Sequence, residues 1–152
     1  MDKATIIQMI TDAYTAAGLN PAVGVAQAEF ESSFNPNVTA ADGGQGLFQF
    51  MPGTWATWGQ GSPYDPAAAI AANVKFMSWL LKQFNGRYDI ALAGYNSGPN
   101  RQEYRNAAAQ NRPINWANVP TATQAVTPGY VKRILDKAGI PVTFRMPASI
   151  KR

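Results

Sequence analysis

Three dipeptides that place a helix-capping residue before a proline constrain the fold of this 152-residue chain more than any other feature. They are Asn20–Pro21, Asp65–Pro66 and Thr127–Pro128. A polar cap followed by proline at the first helical position is a common start of an α-helix. Apolar residues at spacings of three and four follow each dipeptide, which is typical of a helix with one buried face. The sequence therefore predicts a mainly helical protein.

The helix boundaries follow from the same spacing and from the glycines and asparagines that interrupt it. The predicted helices cover residues 3–17, 21–34, 52–58, 66–84 and 127–138, with a short apolar segment at 90–95. Residues 36–50 are rich in glycine, asparagine and aspartate, which predicts a loop or short extended segments. Residues 110–126 are expected to be irregular apart from one turn, and 140–152 to form a tail or a short strand pair. With no repeat and no linker, we expect one domain over 1–152.

The chain contains no cysteine and no histidine. This excludes disulfide scaffolds, Cys/His zinc sites and the Ser–His–Asp and Cys–His groups of hydrolases. Chemistry must then come from carboxylates, lysine, tyrosine, hydroxyls, amides or the backbone, and we expect no metal and no cofactor. The nine carboxylates are Asp2, Asp12, Glu29, Glu31, Asp42, Asp65, Asp89, Glu103 and Asp136.

Thirteen lysines and arginines against nine acids give a net charge of +4. A positive excess favours encounter with an anionic polymer, although ordinary solubility explains it as well. The basic residues are dispersed, so we expect no nucleic-acid binding. No window approaches the length of a membrane span. Charged residues interrupt positions 1–20, so we expect no signal peptide.

Glu31 stands near the predicted end of the second helix. A carboxylate there meets the negative end of the helix dipole, which raises its pKa. A glutamic acid that stays protonated near neutral pH is what general-acid cleavage of a glycosidic bond requires. Position alone nevertheless favours a solvated helix-end residue. Glu29 lies roughly 200° around the helix from Glu31, so it is the lesser candidate.

Three motifs occur along the chain, and the first of them begins at Glu31. They are ESSFNP at 31–36, GGQGLFQFMPGT at 43–54 and ALAGYNSGP at 91–99. Together they resemble the motifs of the soluble lytic transglycosylase family, over about residues 19–138. The resemblance implies a lysozyme-like, mainly α-helical domain with a substrate cleft and a short irregular or β-like segment. It also implies that the bond between N-acetylmuramic acid and N-acetylglucosamine in peptidoglycan is cleaved without water, leaving 1,6-anhydro ends.

The resemblance assigns roles residue by residue. Glu31 matches the single general acid and base. The substrate-binding positions that it implies are Ser33, Gly46, Gln49, Met51, Tyr95, Asn96 and Tyr130. Val126 stands where the family usually has a glutamate, with Gln124 as a candidate to supply that role.

Two other functions stay open on the sequence. A hydrolytic lysozyme on the same fold would need a second carboxylate to hold a water, and Asp42 and Asp65 are the candidates. A non-catalytic, peptidoglycan-binding component of a virion would keep the fold without turnover. We expect a monomer, encoded by a bacteriophage, that acts on the cell wall in the periplasm. Its expected partners are peptidoglycan glycan strands and virion proteins, and a virion or another lysis protein would deliver it.

Overall fold

The computed structural model describes residues 1–142, and most of that stretch is helical. The helices are α1 (Lys3–Ala16), α2 (Pro21–Ser32), α3 (Pro52–Trp58), α4 (Pro66–Gln83), α5 (Tyr88–Ser97), α6 (Gln102–Gln110) and α7 (Thr121–Ala138), with a 3-10 turn at Trp116–Asn118. The prediction of a mainly α-helical fold is confirmed. Of the predicted tail or strand pair, residues 143–152 lie outside the described residues.

The chain divides into two compact units, Met1–Phe76 and Met77–Arg152, with the boundary inside α4. The single domain expected over 1–152 stays a prediction. No helix within residues 1–142 is long and apolar enough to cross a membrane.

In the first unit, α1 packs against α2, and both helices begin at the capping residues that precede them. The Asn20 side chain accepts a hydrogen bond from the Ala22 N–H at 3.0 Å, with Pro21 in the first turn. The two helices approach closely at Gly24, where a Cβ atom would lie 2.6 Å from the Tyr14 ring. A larger residue at position 24 would therefore force the helices apart.

A buried polar chain joins three helices of this unit. The Tyr14 hydroxyl donates to the Asn73 amide oxygen at 2.5 Å, and the Asn73 amide nitrogen donates to Gln27 at 2.9 Å. All three side chains are fully buried. Because a satisfied buried network permits few alternative arrangements, it fixes how α1, α2 and α4 pack.

The segment that connects α2 to α3 is a loop with two isolated β-bridges. Thr39 pairs with Gln45, and Gln45 pairs with Phe50. Leu47, Phe48 and Phe50 are buried, so the loop contributes to the core of its unit. The predicted loop with short extended segments is confirmed.

In the second unit, α5 is the central helix, and it packs against α6 and α7. Its residues from Tyr88 to Gly94 are all buried. An ion pair lies at its start: the Arg87 guanidinium donates to both oxygens of Asp89 at 2.9 and 2.8 Å, and both side chains are 1% exposed. A paired, hydrogen-bonded geometry of this kind is what allows two charges to be buried.

The last helix differs from the prediction. It begins at Thr121 instead of Thr127, and Pro128 lies inside it. An interior proline removes one backbone hydrogen bond and costs about 3 kcal/mol. Thr123 and Thr127, in the first turns of α7, are buried. Their burial offsets the free energy that Pro128 costs. The prediction that residues 121–126 are irregular is therefore wrong.

Candidate active site

Glu31 lies in the last turn of α2 and is partly exposed. The helix ends one residue later, at Ser32, because Ser33 adopts the left-handed conformation with φ of 52°. Phe34 follows with φ of 63°, and its ring is buried beneath the Lys3 ammonium, 5.3 Å from the ring centroid. The buried Phe34 ring anchors the chain where it leaves the helix, and so fixes the turn that carries Glu31.

Backbone strain is concentrated around this turn. Among residues 1–142, five non-glycine residues have positive φ: Ser33, Phe34, Gln49, Asn85 and Asn111. Asparagine adopts this conformation readily, whereas serine, phenylalanine and glutamine do so at a cost. The three costly residues all belong to the motifs at 31–36 and 43–54. Strain that the surrounding structure holds in place is characteristic of functional sites.

The 36–50 loop is tied to α2 and braced from within. The Ser32 hydroxyl donates to the Leu47 carbonyl at 2.8 Å. The Gln49 amide nitrogen donates to the carbonyls of Gly46 at 2.9 Å and Val38 at 3.3 Å. The amide nitrogen of Gln49 thus braces the loop. Its amide oxygen has no hydrogen bond from any residue within 1–142, so it can accept one from a ligand.

Gly46 and Met51 lie at the two ends of a tight part of this loop. Gly46 has φ of +75°, and a Cβ atom there would lie 2.1 Å from the Pro63 carbonyl oxygen, so only glycine fits. Met51 immediately precedes α3 and is 44% exposed. It therefore presents an apolar thioether surface at the start of that helix.

Three sequence-predicted site residues belong to the second unit. Tyr95 and Asn96 lie in the last turn of α5, where Tyr95 is partly exposed and Asn96 exposed. The Thr127 hydroxyl of α7 donates to the Asn96 amide oxygen at 2.7 Å. Tyr130 is only 2% exposed, which favours a supporting role in the unit over direct contact with a ligand.

The C-terminal end of α5 is held by hydrogen bonds that the residue pattern does not predict. The Arg101 guanidinium donates twice to the Ser97 carbonyl, at 3.1 and 2.8 Å. The Ser97 hydroxyl donates to the Ala93 carbonyl at 2.8 Å and shares a 2.6 Å hydrogen bond with the Tyr104 hydroxyl. Burial raises the pKa of Tyr104, so this hydroxyl stays neutral. These contacts fix the turn that carries Tyr95 and Asn96.

Glu103 holds the segment that follows α6, a role that no sequence pattern predicts. Its carboxylate, almost fully buried, accepts hydrogen bonds from the Arg112 guanidinium at 2.6 and 3.1 Å, the Asn115 N–H at 2.7 Å and the Asn118 amide at 3.1 Å. The Arg112 guanidinium is the main cause that lowers the pKa of this carboxyl to about 2. An acidic residue in the first turn of a helix is common, so the sequence carried no signal for this role.

The site residues thus fall into two sets, Glu31, Ser33, Gly46, Gln49 and Met51 in the first unit and Tyr95, Asn96 and Tyr130 in the second. Within residues 1–142, no group of three acidic side chains is arranged to hold a metal ion. Glu31 is the partly exposed carboxyl group that belongs to these site residues, and the other members of its set carry hydroxyl, amide and apolar groups.

The chain matches known proteins over most of its length. The family described as "Transglycosylase SLT domain" matches residues 8–118. The soluble lytic murein transglycosylase of Escherichia coli K12 is 31% identical over 121 residues, which is 73% of this chain and 19% of that protein. A transglycosylase of Enterobacteria phage PRD1 is 31% identical over 86 residues, 57% of this chain and 32% of that protein.

Solved structures agree with the sequence match. The 70-kDa soluble lytic transglycosylase of Escherichia coli superposes with a TM-score of 0.71 at 25% identity, covering 94% of this chain and 26% of that one. An inactive mutant of lytic transglycosylase Slt from Pseudomonas aeruginosa superposes with a TM-score of 0.63 at 23% identity, covering 86% and 23%. This chain spans about a fifth of the length of the Escherichia coli relative.

Proposed function

The chain belongs to the Transglycosylase SLT domain family, and on that basis we propose that it is a lytic transglycosylase of bacterial peptidoglycan. The observation that carries the proposal is the span of the family match, which includes Glu31 in its strained turn and the Tyr95–Asn96 pair. The proposed substrate is the glycan strand, cleaved between N-acetylmuramic acid and N-acetylglucosamine.

Glu31 acts first as a general acid in the proposed reaction. Its protonated carboxyl donates a proton to the glycosidic oxygen while the bond from that oxygen to C1 of the muramoyl sugar breaks. The N-acetylglucosamine departs with a new hydroxyl. The acetamido group of the muramoyl sugar stabilises the positive charge that develops at C1, as a second carboxylate does in other glycosidases.

Glu31, now ionised, then acts as a general base. It removes the proton from the C6 hydroxyl of the same sugar, and O6 bonds to C1 to close the 1,6-anhydro ring. Glu31 ends protonated and no water is consumed. Because nucleophile and leaving group belong to one bound strand, the ring closes without a second reactant having to diffuse in.

Other residues of the first unit suit this chemistry. Phe34 is buried within the strained turn, and its burial favours a fixed backbone next to Glu31. Met51 offers an apolar surface to a sugar ring, and the braced Gln49 keeps the loop rigid. Such preorganisation is what a general acid requires in order to act without rearrangement.

The test is mass spectrometry of the soluble products released from purified peptidoglycan by the wild type and by Glu31→Gln. We expect muropeptides ending in 1,6-anhydromuramic acid from the wild type, and a loss of at least about 100-fold in Glu31→Gln, since proton transfer contributes that much. Glu29→Gln is the matched control, because it changes a partly exposed glutamate on the same helix. It should retain activity.

Two results would contradict the proposal. Products heavier by one water molecule, with a reducing end, would show hydrolysis and turn attention to Asp42 and Asp65. The Asp42 carboxylate accepts the Gly44 N–H at 3.0 Å, which is a turn contact and gives no support to that alternative. Wall binding without products, on a preparation that a control enzyme digests, would indicate a binding module. The monomeric state, the virion partners and the assisted delivery stay predictions.

A further inference from the structure

We infer that Thr127 is a positioning residue for Asn96, whose side-chain amide it holds so that the two N–H donors face outward to a ligand. The inference rests on the proposed function for the identity of the ligand, but its geometry is independent of it. The hydrogen bond that carries it runs from the Thr127 hydroxyl to the Asn96 amide oxygen, 2.7 Å long.

Thr127 is buried, whereas Asn96 is exposed. Thr127 is 1% exposed, and its helix α7 packs against α5. Asn96 is exposed at the end of α5. Because the oxygen and the nitrogen of a carboxamide diverge from the same carbon, an oxygen that faces buried Thr127 turns the nitrogen away from that contact, and the exposure of Asn96 leaves the nitrogen able to reach a ligand. Asn96 therefore presents donors, and it would bind an oxygen acceptor such as a sugar hydroxyl or an acetamido carbonyl.

The hydroxyl of Thr127 is available for this contact because α7 begins six residues earlier than its sequence predicts. A threonine at the helix N-cap would use its oxygen to accept a backbone N–H from the first turn. Inside a helix, a threonine hydroxyl commonly donates to the carbonyl four residues earlier. Thr127 does neither, and its hydroxyl instead donates across to α5.

Removing the hydroxyl would free the Asn96 amide to rotate. Thr127→Val is nearly isosteric and takes away only the hydrogen bond, so the amide would sample orientations that present its oxygen to an acceptor. The loss of a hydrogen bond of ordinary strength corresponds to about fivefold weaker ligand binding. Thr127→Ser keeps the hydroxyl and should bind within about twofold of the wild type, which a merely steric role of Thr127 does not predict.

The first measurement needs no ligand. The carbon-13 shift of the Asn96 side-chain carbonyl reports whether its oxygen accepts a hydrogen bond. We expect this signal to move upfield in Thr127→Val and to stay in place in Thr127→Ser. An unchanged shift in Thr127→Val would overturn the inference, whatever the protein proves to bind.

The second measurement is calorimetric binding of the N-acetylglucosamine tetramer to the wild type, Thr127→Val, Asn96→Ala and the double variant. We expect Thr127→Val to weaken binding about fivefold alone and to add nothing once Asn96 is alanine. If Thr127→Val weakens binding equally with Asn96 and with Asn96→Ala, then Thr127 affects binding through the fold and not through Asn96. That result would overturn the inference. Failure of the proposed function appears separately, as missing anhydro products in the Glu31 experiment, and leaves the carbonyl shift unaffected.

Discussion

The buried Glu103 carboxylate predicts a stability that depends on pH in a defined direction. The carboxylate is the acceptor in all four of its hydrogen bonds, two from Arg112 and one each from Asn115 and Asn118. Glu103→Gln would keep the shape of the side chain but replace one oxygen with an NH2 group. An NH2 group can only donate, and the groups that surround it also donate, so they cannot bond to it. The variant therefore loses hydrogen bonds as well as the negative charge.

The magnitude follows from the pKa of the group. Folding lowers the pKa of Glu103 from 4.5 to about 2. A difference of this size corresponds to about 3 kcal/mol of unfolding free energy at neutral pH. Because the Arg112 side chain is 32% exposed, solvent screening reduces the expected contribution to about 2 kcal/mol. A depressed pKa stabilises the fold above pH 4.5, and that contribution is lost as the pH falls through about 2.

Urea unfolding of the wild type and Glu103→Gln at several pH values tests this reasoning. At pH 7 we expect the variant to be less stable by about 2 kcal/mol, and the difference to shrink as the pH falls from 4.5 towards 2. Asp136→Asn is the control, since it breaks the exposed pair with Lys132 and should cost at most about 0.5 kcal/mol. A difference between wild type and Glu103→Gln that is the same at pH 7 and pH 2.5 would refute the electrostatic explanation.

Two further predictions concern the strained and crowded positions of the first unit. Gly46→Ala should destabilise the protein by at least about 2 kcal/mol in urea unfolding, because the added Cβ would meet the Pro63 carbonyl. The control is Gly53→Ala, which should not destabilise the protein because the space around Gly53 is open. Ser33→Gly should raise the unfolding free energy by up to about 1 kcal/mol, because it relieves a positive φ, and should reduce the rate of anhydromuropeptide release if Ser33 contacts the sugar. An unchanged release rate would contradict the assignment of Ser33 to substrate binding.

Helix starts could be predicted from the sequence wherever the signal is local. Asn20–Pro21 specifies its cap within a few residues, and the structure confirms the cap, whose side chain accepts the Ala22 N–H. Thr127–Pro128 carries the same signal and misleads, because buried residues in the preceding turns favour a longer helix. Burial depends on packing against α5, which a local pattern does not contain.

The candidate acid could be proposed from the motifs that include Glu31, but its surroundings could not. Positive φ at Ser33, Phe34 and Gln49 has no signature in residue type, since none of the three favours that conformation. The bonds from the Gln49 amide to Val38 and Gly46 likewise arise from the shape of the loop. A motif names the residues of a site, whereas the contacts that hold them depend on the whole unit.

Val126 shows how a departure from a family motif can leave a neighbouring contact intact. Its side chain is 59% exposed on α7, whereas that of the next residue, Thr127, is buried. Successive helical residues point about 100° apart, so a change at 126 does not disturb the Thr127–Asn96 hydrogen bond. The Gln124 amide nitrogen donates to the Val119 carbonyl at 2.9 Å, and the idea that Gln124 supplies the role of the glutamate stays a prediction. This turn of α7 therefore presents an apolar surface at position 126 while its buried face still holds Asn96.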